Sequence, residues 1–116
     1  MTAEAIVYAA LEVLANGNVY PDVAPAATVA PWITYQSAGG QSFATVDAET
    51  PTTFNSRMQI TVWSKTRSQT ASIMQQAFQA LVNPAVKAVP IGAPVSTFEA
   101  DTLLYGSTLD FSITYT

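Results

Sequence analysis

Histidine and cysteine are both absent from this chain of 116 residues, and lysine and arginine together number only 4. Without histidine and cysteine the chain has no thiol nucleophile, no disulfide, no Cys/His zinc site and no Ser-His-Asp triad. The few basic residues argue against tight nucleic-acid binding, which usually needs about six or more phosphate contacts from lysine and arginine. These absences disfavour the commonest enzyme classes and a nucleic-acid-binding module.

Charged residues of both signs make up only 10% of the chain, whereas hydrophobic residues make up 49%. An average soluble domain is about 25% charged. The length and the apolar content suit one hydrophobic core, so we predict a single domain over residues 1–116. A surface with so little charge is poorly protected against association, which favours a chain that packs against copies of itself or other proteins. A small threonine-rich monomer is the alternative that composition leaves open.

Neither a signal peptide nor a membrane span is expected. The N-terminal segment carries acidic residues where a signal peptide has a basic flank, and no apolar run approaches the roughly 18 residues of a transmembrane helix. We therefore expect a protein that is made in the cytosol and remains there or assembles there.

The N-terminal segment predicts a helix over residues 3–15, with Thr2 as its N-cap. Asn16 and Gly17 follow, and both favour the left-handed backbone that ends helices. Residues 17–31 contain three prolines and predict an extended connection.

The clearest strand covers residues 54–63, where side chains of opposite character alternate. One face is apolar and carries Phe54, Met58, Ile60 and Val62. The other face carries Asn55, Arg57, Gln59, Thr61 and Trp63. A helix over residues 67–82 follows, opened by a capping box of Thr66 and Gln69.

Four more segments have strand character: residues 32–36, 42–47, 94–100 and 103–115, the second of them weak and edge-like. A turn at Gly39-Gly40 separates the first two. The order of elements predicts an α+β fold, in which a largely antiparallel sheet of about four strands packs against two α-helices.

No residue is predicted to be catalytic, to bind a cofactor or to hold a metal. Glu99 and Asp101 are close enough for a carboxylate pair, but a solvated hairpin turn explains them more simply. Gly39-Gly40 lacks the Lys-Ser/Thr of a phosphate-binding loop. The aromatic residues have too few basic neighbours for a nucleic-acid stacking platform.

Four segments follow one another along the chain: LEVLANG, VYPDVAPAATVAPWITYQ, SRMQITVWSKT and SQTASIMQQAFQAL. In order and spacing, they resemble the tail completion and tail terminator proteins of long-tailed bacteriophages. The matching residues are Val19, Tyr20, Pro21, Ala24, Pro25, Pro31, Trp32, Ile33, Tyr35, Gln36, Arg57, Gln59, Ile60, Val62, Trp63, Ala71, Ala77 and Leu81.

The resemblance implies a structural virion protein and not an enzyme. Copies of the chain would form a ring, typically of six, at the head-proximal end of the tail tube, where it ends tube polymerisation. Its partners would be other copies, the major tail tube protein and the head-tail connector or stopper protein. DNA would pass through the lumen without specific binding. The ring would belong to the neck of the virion and assemble in the host cytoplasm.

A ring requires a subunit interface, and we expect it to include Arg57, Gln59, Trp63, Lys65 and Arg67. The basic residues in this set would pair with acids of a neighbouring copy, such as Glu49 or Asp101, and orient it. An ordinary set of solvated charges is the alternative. The polar segment 37–53 is either an arm that orders on a partner or a mobile loop.

Two other functions remain open. One is a head-closure or connector protein of the same neck. The other is a small ligand-binding or enzymatic α+β domain, which would need a large apolar cavity lined by Phe54, Met58, Phe78 and Phe111.

Overall fold

Residues 1–43 and 50–116 are described by a computed structural model, in which a five-stranded sheet packs against two helices. The elements in chain order are α1 (Ala3–Leu11), β1 (Val19–Pro21), β2 (Trp32–Ser37), β3 (Phe54–Ser64), α2 (Arg67–Leu81), β4 (Val89–Glu99) and β5 (Leu104–Tyr115). The strand order is β1-β2-β3-β5-β4, and all neighbours are antiparallel except β1 and β2, which are parallel. The predicted α+β fold is confirmed, with a short parallel strand at one edge.

The centre of the sheet is the pairing of β3 with β5, in which all 11 residues of β3 have a partner. The inward side chains of both strands are buried against the helices, as their alternation predicts. They are Met58, Ile60, Val62, Leu109, Phe111 and Ile113. Phe54 belongs to the same predicted apolar face but not to the core: it lies at the open end of β3, 41% exposed, and stacks on Tyr115 with ring centroids 5.7 Å apart.

The second helix begins and ends within one residue of its predicted bounds. Thr66 Oγ1 accepts a hydrogen bond from the backbone N–H of Gln69 (3.1 Å), which is the expected N-cap. The apolar face of α2 packs on β3 and β5. One turn into the helix, the buried hydroxyl of Thr70 lies 2.9 Å from the carbonyl oxygen of Tyr105 and also contacts the Ser64 hydroxyl. This contact fastens the start of α2 to both central strands.

The first helix is shorter than predicted, because it ends at Leu11 and not at residue 15. Ala15, Asn16 and Gly17 have positive φ angles of 50°, 57° and 81°. Asn16 and Gly17 therefore take the left-handed conformation expected of them, but the backbone leaves the helix before it reaches them.

Two predicted strands need comment. The strand predicted over 94–100 begins five residues earlier, at Val89, and a bulge between Ile91 and Val95 interrupts its register. The weak strand predicted over 42–47 lies largely outside the described residues, which resume at Thr50, and residues 42 and 43 are not in a strand. Gly39 and Gly40 have positive φ angles, but the expected turn is not present there: the N–H of Ala38 and the carbonyl oxygen of Gly39 still bond to Arg57, so the chain continues beside β3.

Over the described part of the chain, neither helix is long and apolar enough to cross a membrane.

Replacing Thr70 with valine is expected to lower the free energy of unfolding by about 1–3 kcal/mol. The isosteric methyl group cannot bond to the carbonyl oxygen of Tyr105 or to the hydroxyl of Ser64, so each of these buried groups loses one hydrogen-bond partner. Thr70→Ser keeps the hydroxyl and is the matched control. Urea denaturation of the three proteins measures the difference. Equal losses for valine and serine would show that the hydroxyl contributes nothing.

Candidate inter-subunit surface

The face of the sheet opposite the helices is polar and carries three of the five predicted interface residues, Arg57, Gln59 and Trp63. We call it the outer face. Rows of paired residues cross it from β2 through β3 to β5, and they are Gln36–Gln59–Asp110, Thr34–Thr61–Thr108 and Trp32–Trp63–Gly106. Most of these side chains are partly exposed. The hydroxyl groups of Thr61 and Thr108 lie 3.2 Å apart, so the rows satisfy part of their own hydrogen bonding.

Arg57 already has an acidic partner in its own chain. Its Nε donates to Asp110 Oδ2 over 2.6 Å, diagonally across the β3–β5 ladder, and the two side chains are 47% and 13% exposed. The expected partners on a neighbouring copy were Glu49, which lies outside the described residues, and Asp101, which lies exposed in the β4–β5 turn. A pair this exposed contributes about 0–1 kcal/mol to stability, and within the described residues only Nε of the guanidinium has a partner.

The indole ring of Trp63 packs directly against a glycine on the next strand. A Cβ atom at Gly106 would lie 2.8 Å from the indole ring, so the ring occupies the space that a side chain would need. Trp63 and Trp32 also line a cleft of about 280 Å³ beneath the connection that follows β1, together with Pro25 and Leu104. Both indoles are therefore partly buried by their own chain.

The two remaining predicted residues lie elsewhere. Lys65 is exposed in the turn after β3. Arg67 begins α2 on the helix side of the sheet, where its guanidinium carbon lies 5.8 Å from the ring centroid of Tyr105. The structure thus divides the predicted set between two surfaces.

Sequence patterns gave no sign of a groove between α2 and β4. Almost every residue of β4 is exposed, because α2 packs on β3 and β5 and leaves the last strand uncovered. The groove has a volume of about 270 Å³ and is lined by Met74 and Phe78 of α2, Ser96 of β4 and Tyr105 of β5. Among the described residues that line it, Arg67 is the only charged one. We call this feature the α2–β4 groove.

Acidic residues gather at the opposite edge of the sheet, beside β1 and β2. Glu4 and Asp22 lie near the Tyr35 hydroxyl, and the Tyr8 ring lies 6.4 Å from that of Tyr35. Burial, and after it the negative charge of Glu4 and the neighbouring Tyr8 and Asp22, raises the pKa of Tyr35. We call this feature the acidic edge. The sequence contains the corresponding signal: no lysine or arginine precedes Arg57.

The four residues predicted to line the cavity of a ligand-binding or enzymatic domain do not come together in the structure. Met58 and Phe111 are fully buried in the core and Phe78 packs on Phe111, whereas Phe54 stacks on Tyr115 at the end of the sheet. The four residues thus line no common cavity. Within residues 1–43 and 50–116, no cluster of acids is placed to hold a metal ion. Glu99 accepts a hydrogen bond from Thr102 at the exposed hairpin turn.

Comparison with known proteins identifies the family. The model of the family described as "Tail completion protein gp17" matches residues 1–116, which is the whole chain. None of the curated proteins compared with the chain matches it. The resemblance noted in the sequence is thereby confirmed: this chain belongs to the tail completion protein gp17 family, whose members are structural proteins of phage tails.

Proposed function

We propose that the chain is a tail terminator subunit, copies of which form a ring at the head-proximal end of the tail tube. The ring, of six copies, ends tube polymerisation and presents a surface to the head-tail connector. The observation that carries this proposal is the family match over all 116 residues. Its location would be the virion neck, and its chemistry is that of assembly and not of catalysis.

The surface of the chain is suited to contact with other proteins in an assembly. Large apolar side chains are exposed along and beside β4, among them Val89, Val95, Phe98 and Leu103. A monomer with so few charged residues has little to keep these exposed side chains from associating with another protein. Closure into a ring requires two different patches on each copy, and the outer face and α2 each offer one.

The charge of the chain suits a ring through which DNA slides. Its net charge is −4, and one of its four basic residues, Arg57, is paired with Asp110. Affinity for DNA falls with each phosphate contact that a protein cannot make. A lumen built from this chain would therefore hold the phosphates weakly, as passage requires.

Two measurements test the proposal. The first is the native mass of the protein across a concentration series, and the second is the assembly of tail tubes in its presence. We expect a discrete closed oligomer, close to six copies, and tubes that stop growing once it binds them. An oligomer that binds the connector but leaves tube growth unchanged would instead identify a head-closure protein. A chain that does neither would overturn the proposal.

Exchanging the members of the outer-face ion pair tests the predicted interface. Arg57→Asp combined with Asp110→Arg keeps the pair within the chain, so stability should change by about 1 kcal/mol or less. If Arg57 meets an acid of the next copy, ring formation should weaken.

Trp63→Ala should weaken ring formation too, because aromatic residues contribute most to interfaces. Lys87→Ala, a change at an exposed base on another surface, is the control, and unchanged rings in both test variants would exclude this surface.

A further inference from the structure

We propose that the α2–β4 groove of one copy receives the exposed face of α1 from the next copy, so that Tyr8 enters the groove and an acid beside it meets Arg67. The inference rests on the proposed function, since it names the contact that would join neighbours in the ring. It differs from the predicted interface, which used the outer face of β3.

The groove is suited to one large side chain. Its volume of about 270 Å³ is close to the lower end of the range of about 300–1,000 Å³ that small-molecule sites occupy. It lies between a helix and a strand, and Met74, Phe78 and Tyr105 give it apolar and aromatic walls. An aromatic side chain carried on a rigid element of another copy can pack against such walls.

The edges of the sheet favour side-chain docking over pairing of strands. Along the free edge, β4 contains Pro90 and Pro94, which have no N–H to donate, and Pro94 lies within the bulge between Ile91 and Val95. The other edge is β1, which has only 3 residues and ends in Pro21. Neither edge can form a long ladder of backbone hydrogen bonds with a neighbour.

The exposed face of α1 has the complementary shape and charge. Glu4, Tyr8 and Glu12 are spaced four residues apart, and Glu12 is the C-cap residue that continues the helical backbone after Leu11. The three therefore form one row along α1 and its end, and all three are exposed. Tyr8 is 43% exposed and extends towards the β1–β2 edge, where its ring lies near Tyr35. The row thus presents an aromatic residue between two carboxylates. The groove presents an apolar hollow with one guanidinium.

The position of the two patches permits a ring. The acidic edge lies beside β1 and β2, whereas the groove lies beside β4 at the far side of the sheet. A contact between different patches on opposite sides of a subunit adds copies in one direction and closes when the rotation allows. Opposite charges on the two sides favour this order over contact between like edges.

Cross-linking tests the contact directly, because the chain has no cysteine of its own. One preparation carries Gln75→Cys in the groove, and the other carries Glu4→Cys or Glu12→Cys on α1. A short bifunctional thiol reagent should join the mixed preparations at the concentration where the oligomer forms, or on tube-bound protein if the free chain is monomeric. Each preparation alone should give no dimer. Lys87→Cys, mixed with Gln75→Cys, is the control for random collision.

Charge reversal supplies the second measurement. Arg67→Glu should weaken association roughly tenfold or more, whereas Lys87→Glu, with the same change in charge, should not. Adding Glu4→Lys and Glu12→Lys to Arg67→Glu should restore association.

A steric block is the third measurement. Ala71→Trp fills the groove and should prevent the contact. Gln76→Trp lies on the same helix outside the groove and should not.

These outcomes separate the contact from the function. If the wild-type chain ends tube growth and Arg67→Glu and Ala71→Trp do so equally well without the specific cross-link, the groove contact is overturned and the terminator function stands. If the wild-type chain leaves tube growth unchanged, the terminator function fails, and the cross-link still decides whether copies meet in this way.

Discussion

The pairing of β3 with β5 is the interaction on which the rest of the structure depends. It joins the two longest runs of alternating sequence over the full length of β3 and gives the sheet its two faces. The inward side chains form the floor on which both helices pack, and the outward side chains form the polar rows of the outer face. Because the side-chain period of a strand is two, a shift of one residue would exchange these faces and expose the whole core.

The same pairing determines what the helices leave uncovered. The Thr70 hydroxyl fastens α2 above the end of the β3–β5 ladder, and α1 packs beside it on β2, β3 and β5. The strand added outside β5 therefore has no helix above it, although it is 11 residues long. Because no helix covers β4, its apolar side chains, such as Val89, Val95 and Phe98, stay exposed to solvent. The remaining surface becomes available to another molecule.

Sequence alone predicted the elements that are determined by a pattern within their own residues, such as strand alternation or an N-cap. The alternation of residues 54–63 and 103–115 and the N-cap at Thr66 each correspond to a structural element within one or two residues. The short strand β1 had no such pattern, because a strand of 3 residues depends on its partner and not on periodicity. The end of α1 and the start of β4 were misjudged where tertiary contacts override local propensity.

The candidate site was less predictable for the same reason. Arg57 and Arg67 are close in the sequence, but the reversal of the chain after β3 places them on different sides of the sheet. The partner of Arg57, Asp110, is 53 residues away and is brought near only by the register of two strands. The α2–β4 groove is the space left between elements, so no single segment of sequence encodes it.

The scarcity of charge gives each charged group more influence on how copies of this protein meet. Apolar contacts on β4 and in the groove are non-directional, so they favour association without choosing an orientation. The acids of the acidic edge and Arg67 of the groove lie on opposite sides of the sheet, so an acid of one copy and Arg67 of another would attract each other. Such forces extend only about 8–10 Å at physiological salt. In the proposed ring they would act at the moment of contact, where they would favour the head-to-tail order that closes a ring over the symmetric pairing that would end in a dimer.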